Sequence, residues 1–235
     1  MAQARYDAVA DFYADGFDAI GDPASVALLD LLGPVCGLHV LDVACGHGRI
    51  TRELARRGAD VVGIDISGKL IGKAQETERR EALGIRYIHA DVTTPGILGG
   101  PAFDLVTCNF GLSDIDDLDG AIAAASAALR PRGSFAFSIL HPCFPGGQDI
   151  SGSWPATGSY YGEGRWAAQD ALSTLRRQVG ANHRMLSTYL STLRRHDLWL
   201  DQLTEPLPAP DWDQAHDADR KPVFLAARSI KLTGS

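Results

Sequence analysis

One stretch of the sequence decides the fold: residues 40–49, which read VLDVACGHGR. The apolar run 38–43 predicts a buried strand, and residues 49–57 predict a helix that Gly58 ends. Between them, Gly46 and Gly48 lack a Cβ, so the backbone can turn sharply and a ligand can lie against it. The free N–H groups at the start of the helix favour a polar or anionic ligand. Asp42, near the end of the strand, can accept a hydrogen bond from an ammonium group. The sequence therefore predicts a ligand site at this turn.

Strands and helices alternate outward from this turn. Helices are predicted over 3–20, 23–33, 67–83, 118–129 and 186–196, and further strands over 60–64, 85–89, 103–108, 134–140, 198–204 and 222–231. Strands that are apolar throughout and separated by helices indicate a parallel sheet covered on both faces. The last two strands, joined by a loop, favour an antiparallel edge. We therefore expect a doubly wound, Rossmann-like α/β sheet.

Polar side chains end the next three strands. Asp65 follows the second strand, where an acidic residue can accept hydrogen bonds from both ribose hydroxyls of a nucleotide. A helix cap is the simpler interpretation of Asp65, but Ser67 already supplies one. Asp91 follows the third strand and can accept from an adenine amine, or can serve as a turn residue. Asn109 follows the fourth strand, where ligands bind in open α/β sheets.

A dinucleotide is a weaker candidate for the ligand. The dinucleotide fingerprint needs a third glycine, and Thr51 stands at that position. The acidic residues also suit a ligand with an amino acid moiety better than one with two phosphates. A nicotinamide oxidoreductase is therefore disfavoured.

In this order and spacing, the four elements resemble the class I methyltransferases that use S-adenosylmethionine, over roughly residues 38–140. The resemblance implies a seven-stranded sheet with the last strand antiparallel, and S-adenosylhomocysteine as product. It implies that the cofactor contacts the residues Tyr13, Asp42, Ala44, Gly46, Gly48, Asp65, Ile66, Asp91, Val92, Asn109 and Phe110. Among these, Asp65 would hold the ribose, Ile66 would flank the adenine and Asp91 would meet its amine.

The chain is expected to be one methyltransferase domain, 1–235. It would have a helical cap at 1–33, a cofactor-binding core at 38–140 and a C-terminal helix and strands at 183–235. Residues 141–182 are irregular and rich in glycine, proline and aromatic residues, which predicts an insertion that covers the substrate.

Two histidines are candidate general bases. His141 follows the fifth strand and His183 precedes a late helix, and a histidine suits proton removal near pH 7. For each, a hydrogen-bonded structural role stays open. Five aromatic residues in the insertion can wall a flat acceptor or form a small core of their own: Phe144, Trp154, Tyr160, Tyr161 and Trp166.

The composition of the chain limits the classes of substrate that it can bind. The formal net charge is −7 and the basic residues are scattered, so nucleic acid is a poor candidate. No apolar stretch is long enough to span a membrane, and no secretory signal is expected. No metal site is predicted. The four cysteines show no pairing pattern, which favours the cytoplasm. We expect methyl transfer to an oxygen or nitrogen of a small metabolite by a monomer or homodimer. A cofactor-binding protein with a non-methylating role, such as a cyclase-like enzyme or regulator, remains the alternative.

Overall fold

The computed structural model describes residues 4–100, 102–143, 159–167, 174–207 and 222–232. The helices are α1 (Ala10–Gly16), α2 (Pro23–Leu32), α3 (Arg49–Arg56), α4 (Gly68–Glu81), α5 (Leu118–Ala128), α6 (Thr174–Val179) and α7 (Leu186–Arg195), with short 3-10 helices at Arg5–Ala8 and Gly111–Ser113. The strands are β1 (His39–Val43), β2 (Asp60–Asp65), β3 (Arg86–His89), β4 (Phe103–Asn109), β5 (Leu129–Leu140), β6 (Gly164–Trp166), β7 (Ala181–His183), β8 (Leu198–Thr204) and β9 (Phe224–Lys231).

Seven strands form one twisted sheet in the order β3-β2-β1-β4-β5-β9-β8. Strands β1 to β5 are parallel, whereas β9 runs antiparallel to both β5 and β8. The predicted doubly wound sheet with its antiparallel last strand is confirmed. The strand order reverses between β1 and β4, and in such sheets ligands bind at the carboxyl ends of the strands beside this switch point.

The two faces of the sheet bury separate apolar cores. Alternate residues of β1 contribute to each, because successive side chains of a strand point to opposite faces. Val40 packs with Ile50 and Leu54 of α3, whereas Leu41 packs in the core that contains Ile122 of α5. This alternation also decides which way Asp42 faces.

The ends of several helices follow the predicted cap chemistry. The Asp22 side chain accepts from Ser25 N at the start of α2, and Ser67 accepts from Leu70 N at the start of α4. Asp117 does the same for Gly120 N at the start of α5. These side chains satisfy N–H groups that have no partner within the helix. No helix among the described residues is long and apolar enough to cross a bilayer.

Three predicted elements differ from the structure. The helix expected over 3–20 is a 3-10 turn followed by the short α1, which ends at Gly16. Strand β5 begins at Leu129, five residues before the predicted start at 134, since Leu129 pairs with Phe103 beyond an irregularity in the register. The insertion is not irregular throughout, because β6 and β7 form a two-stranded sheet and α6 lies between them. The rest of the insertion, 144–158 and 168–173, lies outside the described residues.

Candidate functional site

A cavity of about 1020 Å³ opens at the carboxyl ends of the central strands. Its lining runs across the sheet, from the residues after β3, past those after β2, β1 and β4, to Leu140 at the end of β5 and Phe224 at the start of β9. The 3-10 turn and α1 cover it from the other side. The cavity therefore lies where the strand order reverses, as the sequence predicts.

Asp65 binds the turn after β1 from the end of β2. Its Oδ2 accepts from Gly46 N at 2.8 Å and its Oδ1 accepts from Ser67 N at 2.7 Å. Burial raises the pKa of Asp65, and these two backbone N–H groups oppose that rise. A carboxylate has about four lone-pair sites, so each oxygen can still accept from a ligand in the cavity.

The turn itself has a left-handed backbone at the positions that face the cavity. Gly46 has φ of 57° and Ala44 has φ of 54°, and both line the cavity. Gly48 has φ of 87° and is outside the lining. A Cβ built there would lie 2.3 Å from the Tyr87 hydroxyl, so Gly48 makes room for Tyr87 where α3 begins. Its contact with the cofactor stays a prediction.

Asp42 is also outside the lining, so its contact with the cofactor stays a prediction that the cavity wall does not support. It is only 1% exposed, and its Oδ2 accepts from the Thr51 hydroxyl at 2.6 Å. The reason is the alternation of β1, which turns residues 40 and 42 toward α3. Burial raises the pKa of Asp42 to about 7, although the hydrogen bond from Thr51 opposes the rise.

The residues after β2 and β3 form one end of the cavity. Ile66, Asp91 and Val92, which are predicted to contact the cofactor, all line it. The Oδ1 atom of Asp91 accepts from both the backbone N and the hydroxyl of Thr93, at 2.9 and 2.7 Å. Its Oδ2 forms no hydrogen bond among the described residues. This end thus offers two apolar side chains and one carboxylate oxygen.

Asn109 and Phe110 line the middle of the cavity at the end of β4. The Asn109 side chain is fixed by two hydroxyls: Ser25 Oγ, 3.1 Å from its Nδ2, and Ser138 Oγ, 2.6 Å from its Oδ1. Arg49 extends this chain by donating to Ser25 Oγ at 2.9 Å. These bonds hold the β4 end rigidly against α2 and β5.

The N-terminal segment covers the cavity with aromatic rings. Tyr13 lines it, as predicted, and stacks on Phe17 with ring centroids 5.1 Å apart. Burial raises the pKa of Tyr13 to about 12. Asp7 ties the segment to α4, since its Oδ1 accepts from the Ser67 hydroxyl at 2.6 Å.

A half-buried polar cluster that no sequence motif marks also lines the cavity. Asp114, just after the Gly111–Ser113 turn, accepts from the Tyr6 hydroxyl at 2.7 Å and from Arg176 Nη1 at 2.5 Å. Burial and then the Asp114 charge raise the pKa of Tyr6 well above its usual value. All three residues line the cavity. They are far apart in the chain, so no local motif marks them.

Neither predicted general base lines this cavity. His141 is buried, its Nδ1 accepts from Cys143 N at 3.0 Å, and its Nε2 lies 3.0 Å from Oε1 of Glu205. Burial lowers the pKa of His141, against the effect of Glu205. His183 Nε2 lies 2.8 Å from the Tyr160 carbonyl oxygen. Both histidines instead line a second, smaller cavity of about 40 Å³.

The predicted aromatic wall is likewise placed elsewhere. Trp166 lines the small cavity, Tyr160 packs edge-on against His183, and Tyr161 is 81% exposed. The large cavity takes its apolar surface at this end from Phe110, Leu140 and Phe224. Phe144 and Trp154 lie outside the described residues.

A doubly wound sheet of this strand order, with a nucleotide-sized cavity at its switch point, defines the class I methyltransferase fold. Residues 40–133 match the family described as "Methyltransferase domain". The chain is thus similar, over these residues and in its fold, to class I S-adenosylmethionine-dependent methyltransferases. The half-buried Asp65 carboxylate with spare lone pairs, on the same cavity wall as Ile66 and Val92, fits an adenosyl group.

Known proteins resemble this chain over different lengths. A ubiquinone biosynthesis O-methyltransferase of Methylococcus capsulatus is 34% identical over 122 residues, which cover 51% of each chain. The chain thus spans about half the length of the curated relatives it matches. An S-adenosylmethionine-dependent methyltransferase from Mesorhizobium loti is 26% identical with a TM-score of 0.71, covering 89% of this chain and 98% of that one. A Burkholderia thailandensis 1,6-didemethyltoxoflavin-N1-methyltransferase, solved with S-adenosylhomocysteine, shares the fold at a TM-score of 0.64 and 20% identity, over 99% of this chain and 92% of that one.

Proposed function

We propose that this protein transfers a methyl group from S-adenosylmethionine to an oxygen or nitrogen of a small molecule. The observation that carries the proposal is one cavity whose wall combines the carboxylates that follow β2 and β3 with the polar cluster of Tyr6, Asp114 and Arg176. Its volume of about 1020 Å³ lies at the top of the range of roughly 300–1,000 Å³ for small-molecule sites. Such a cavity has room for both the cofactor and an acceptor.

At the cofactor end, the residues of this chain would bind and orient S-adenosylmethionine. The cofactor supplies the activated methyl group when bound. Asp65 would accept from the ribose hydroxyls, Ile66 and Val92 would flank the adenine, and the free oxygen of Asp91 would accept from its amine. Ala44, Gly46, Asn109 and Phe110 would border the methionine part, beneath Tyr13.

The chain's part at the other end is to hold the acceptor and exclude water. Phe110, Leu140 and Phe224 give apolar contact there, while Tyr6 and Asp114 give polar contacts. Holding two reactants in line accounts for much of the barrier reduction in transfers of this kind. The aromatic cover of the N-terminal segment would shield the site from water.

Three observations support a small-molecule acceptor in the cytoplasm. The names of the relatives state an O-methyltransferase of ubiquinone biosynthesis and an N1-methyltransferase of a toxoflavin precursor. The net charge of −7 opposes a nucleic-acid substrate. All four cysteines are free thiols, as expected in a reducing compartment.

The test is a product assay. The protein is incubated with methyl-labelled S-adenosylmethionine and a panel of phenols, amines and carboxylic acids, and S-adenosylhomocysteine and labelled product are measured together. We expect both to appear with at least one acceptor, and both to fall in Asp65→Asn. Tight cofactor binding without turnover on a broad panel would favour the non-methylating alternative.

A further inference from the structure

The small cavity neighbours the large one. Leu140 and Arg176 line both cavities, so these two side chains stand at the boundary between them. The remaining lining of the small cavity includes His141, His183 and Arg184. Its volume of about 40 Å³ suits a group the size of a carboxylate rather than a ring.

Arg176 presents an open edge to this junction. It is only 8% exposed, and its Nη1 donates to Asp114 Oδ1 at 2.5 Å and to the Gly180 carbonyl at 2.9 Å. Its Nη2 and Nε form no hydrogen bond among the described residues. Asp114 therefore fixes one edge of the guanidinium, and the other edge keeps the parallel N–H donors that match a planar pair of oxygens.

Arg184 adds a second buried cation. It is as buried as Arg176, and it donates to three backbone carbonyls: Leu112 O at 2.7 Å, Ile115 O at 2.7 Å and Asp116 O at 2.9 Å. No carboxylate pairs with it among the described residues, and none lines the small cavity there. A buried charge without a counter-ion is costly, so the described lining favours an anion.

The carboxylates near this cavity lie outside its lining. Asp114 already pairs with Arg176, so the uncompensated charge at the wall is that of Arg184, while the open edge of Arg176 supplies donors. Glu205 faces His141, but about half of its side chain is exposed, so water screens it. The cavity wall thus combines two buried guanidinium groups with hydrogen-bonded histidines.

We infer that the methyl acceptor carries a carboxylate, that this group enters the small cavity, and that Arg176 binds it through its open edge. This inference rests on the proposed function, since it concerns the acceptor of the same site. Fixing the carboxylate there places the rest of the acceptor between Phe110, Leu140 and the cofactor end of the large cavity. Arg176 is therefore a specificity-determining residue, and the two histidines shape the pocket instead of removing a proton.

The experiment compares three probes of equal size. Benzoate, benzamide and benzylamine are titrated by calorimetry into the protein saturated with S-adenosylhomocysteine, each up to ~10 mM, which suffices for a fragment of ordinary ligand efficiency. We expect benzoate to bind at least about tenfold more tightly than benzamide, and benzylamine not to bind. Equal binding of the three, preference for the amine, or no binding of benzoate overturns the inference.

Variants then locate the contact. Arg176→Gln should weaken benzoate at least about tenfold and leave S-adenosylhomocysteine affinity unchanged. The matched control is Arg177→Gln, an exposed position on the same helix, which should change neither. Arg176→Lys, which keeps the charge but loses the paired donors, replaces the glutamine variant if thermal unfolding shows that the latter is not folded. Benzoate affinity unchanged in a folded Arg176 variant contradicts the assignment. Failure of S-adenosylhomocysteine to bind the wild-type protein would instead contradict the proposed function.

Discussion

Replacing Asp42 by asparagine should stabilise the protein at high pH and leave it nearly unchanged at low pH. Asp42 is buried beneath the turn after β1, with Thr51 as its hydrogen-bond donor. An asparagine has nearly the same shape, and its side-chain oxygen can still accept from Thr51. It removes only the charge.

The size of the effect follows from the pKa of Asp42. Burial raises this pKa to about 7 in the folded protein, against the ordinary value of 3.8 for an exposed aspartate. That difference corresponds to about 4 kcal/mol, and water penetration on ionisation reduces the cost to roughly 2–4 kcal/mol. Because the folded-state pKa is the higher one, the stabilising contribution is fully present below about pH 4. It is lost as the pH rises through about 7.

The assay is urea unfolding of wild type and Asp42→Asn between about pH 5 and about pH 8. We expect the free energy of unfolding of the variant to gain on that of wild type by roughly 1–2.5 kcal/mol over this range, because part of the total effect has already developed below about pH 5. Asp30→Asn, which removes an exposed carboxylate from α2, is the control and should show no such gain. A constant difference between Asp42→Asn and wild type would refute the reasoning, because it would mean that Asp42 is ionised in the folded protein throughout.

Two further predictions concern the turn and the adenine end. Gly48→Ala should lower the free energy of unfolding by roughly 2–4 kcal/mol, because φ is 87° and the new Cβ would lie 2.3 Å from the Tyr87 hydroxyl. The control is Gly72→Ala, on α4 with open space around it, which should raise the free energy of unfolding by about 0.5–1 kcal/mol. Equal effects of the two substitutions in urea unfolding would contradict the close contact of Gly48 with Tyr87. Asp91→Asn should abolish a preference of about fivefold or more for S-adenosylhomocysteine over its inosine analogue, measured by calorimetry; a preference that persists would show that Asp91 only holds Thr93.

The order of the sheet and the position of the cavity were predictable because they depend on local patterns. Apolar runs, glycine turns and cap residues such as Ser67 mark the strands and helices along the chain. The rule that ligands bind at the carboxyl ends of parallel strands then brings Gly46, Asp65, Asp91 and Asn109 together. The structure places all four in the lining of one cavity.

Asp42 was predicted to face the ligand because it stands beside the glycine turn. The face of the sheet on which a strand residue lies depends on the register with which the strand packs against its helices. A run that is apolar throughout carries no alternation to reveal it. Residue 42 shares its face with Val40, and so it meets Thr51 of α3.

The polar cluster at the acceptor end was not predictable from any local pattern. Asp114 and Arg176 are 62 residues apart, and their contact depends on the way the described part of the insertion folds back onto the 111–113 turn. Acidic residues do follow the fourth strand, but a helix cap explains them more simply, and Asp117 does cap α5. Likewise, β6 and β7 have only three residues each, too few for a strand pattern to stand out.

The most direct test of the account is calorimetric titration of S-adenosylmethionine and S-adenosylhomocysteine into wild type, Asp65→Asn and Asp60→Asn. Asp65 is the last residue of β2 and lines the cavity, whereas Asp60 is the first residue of the same strand, at the other end. The two variants therefore remove the same charge from opposite ends of one strand. We expect micromolar binding to wild type and Asp60→Asn. Asp65→Asn should lose roughly 1.5–3 kcal/mol of binding free energy, the value of hydrogen bonds to a charged acceptor, while thermal unfolding shows that it remains folded. Absence of binding of both compounds to wild type, or equal affinity in a folded Asp65→Asn, would contradict the account.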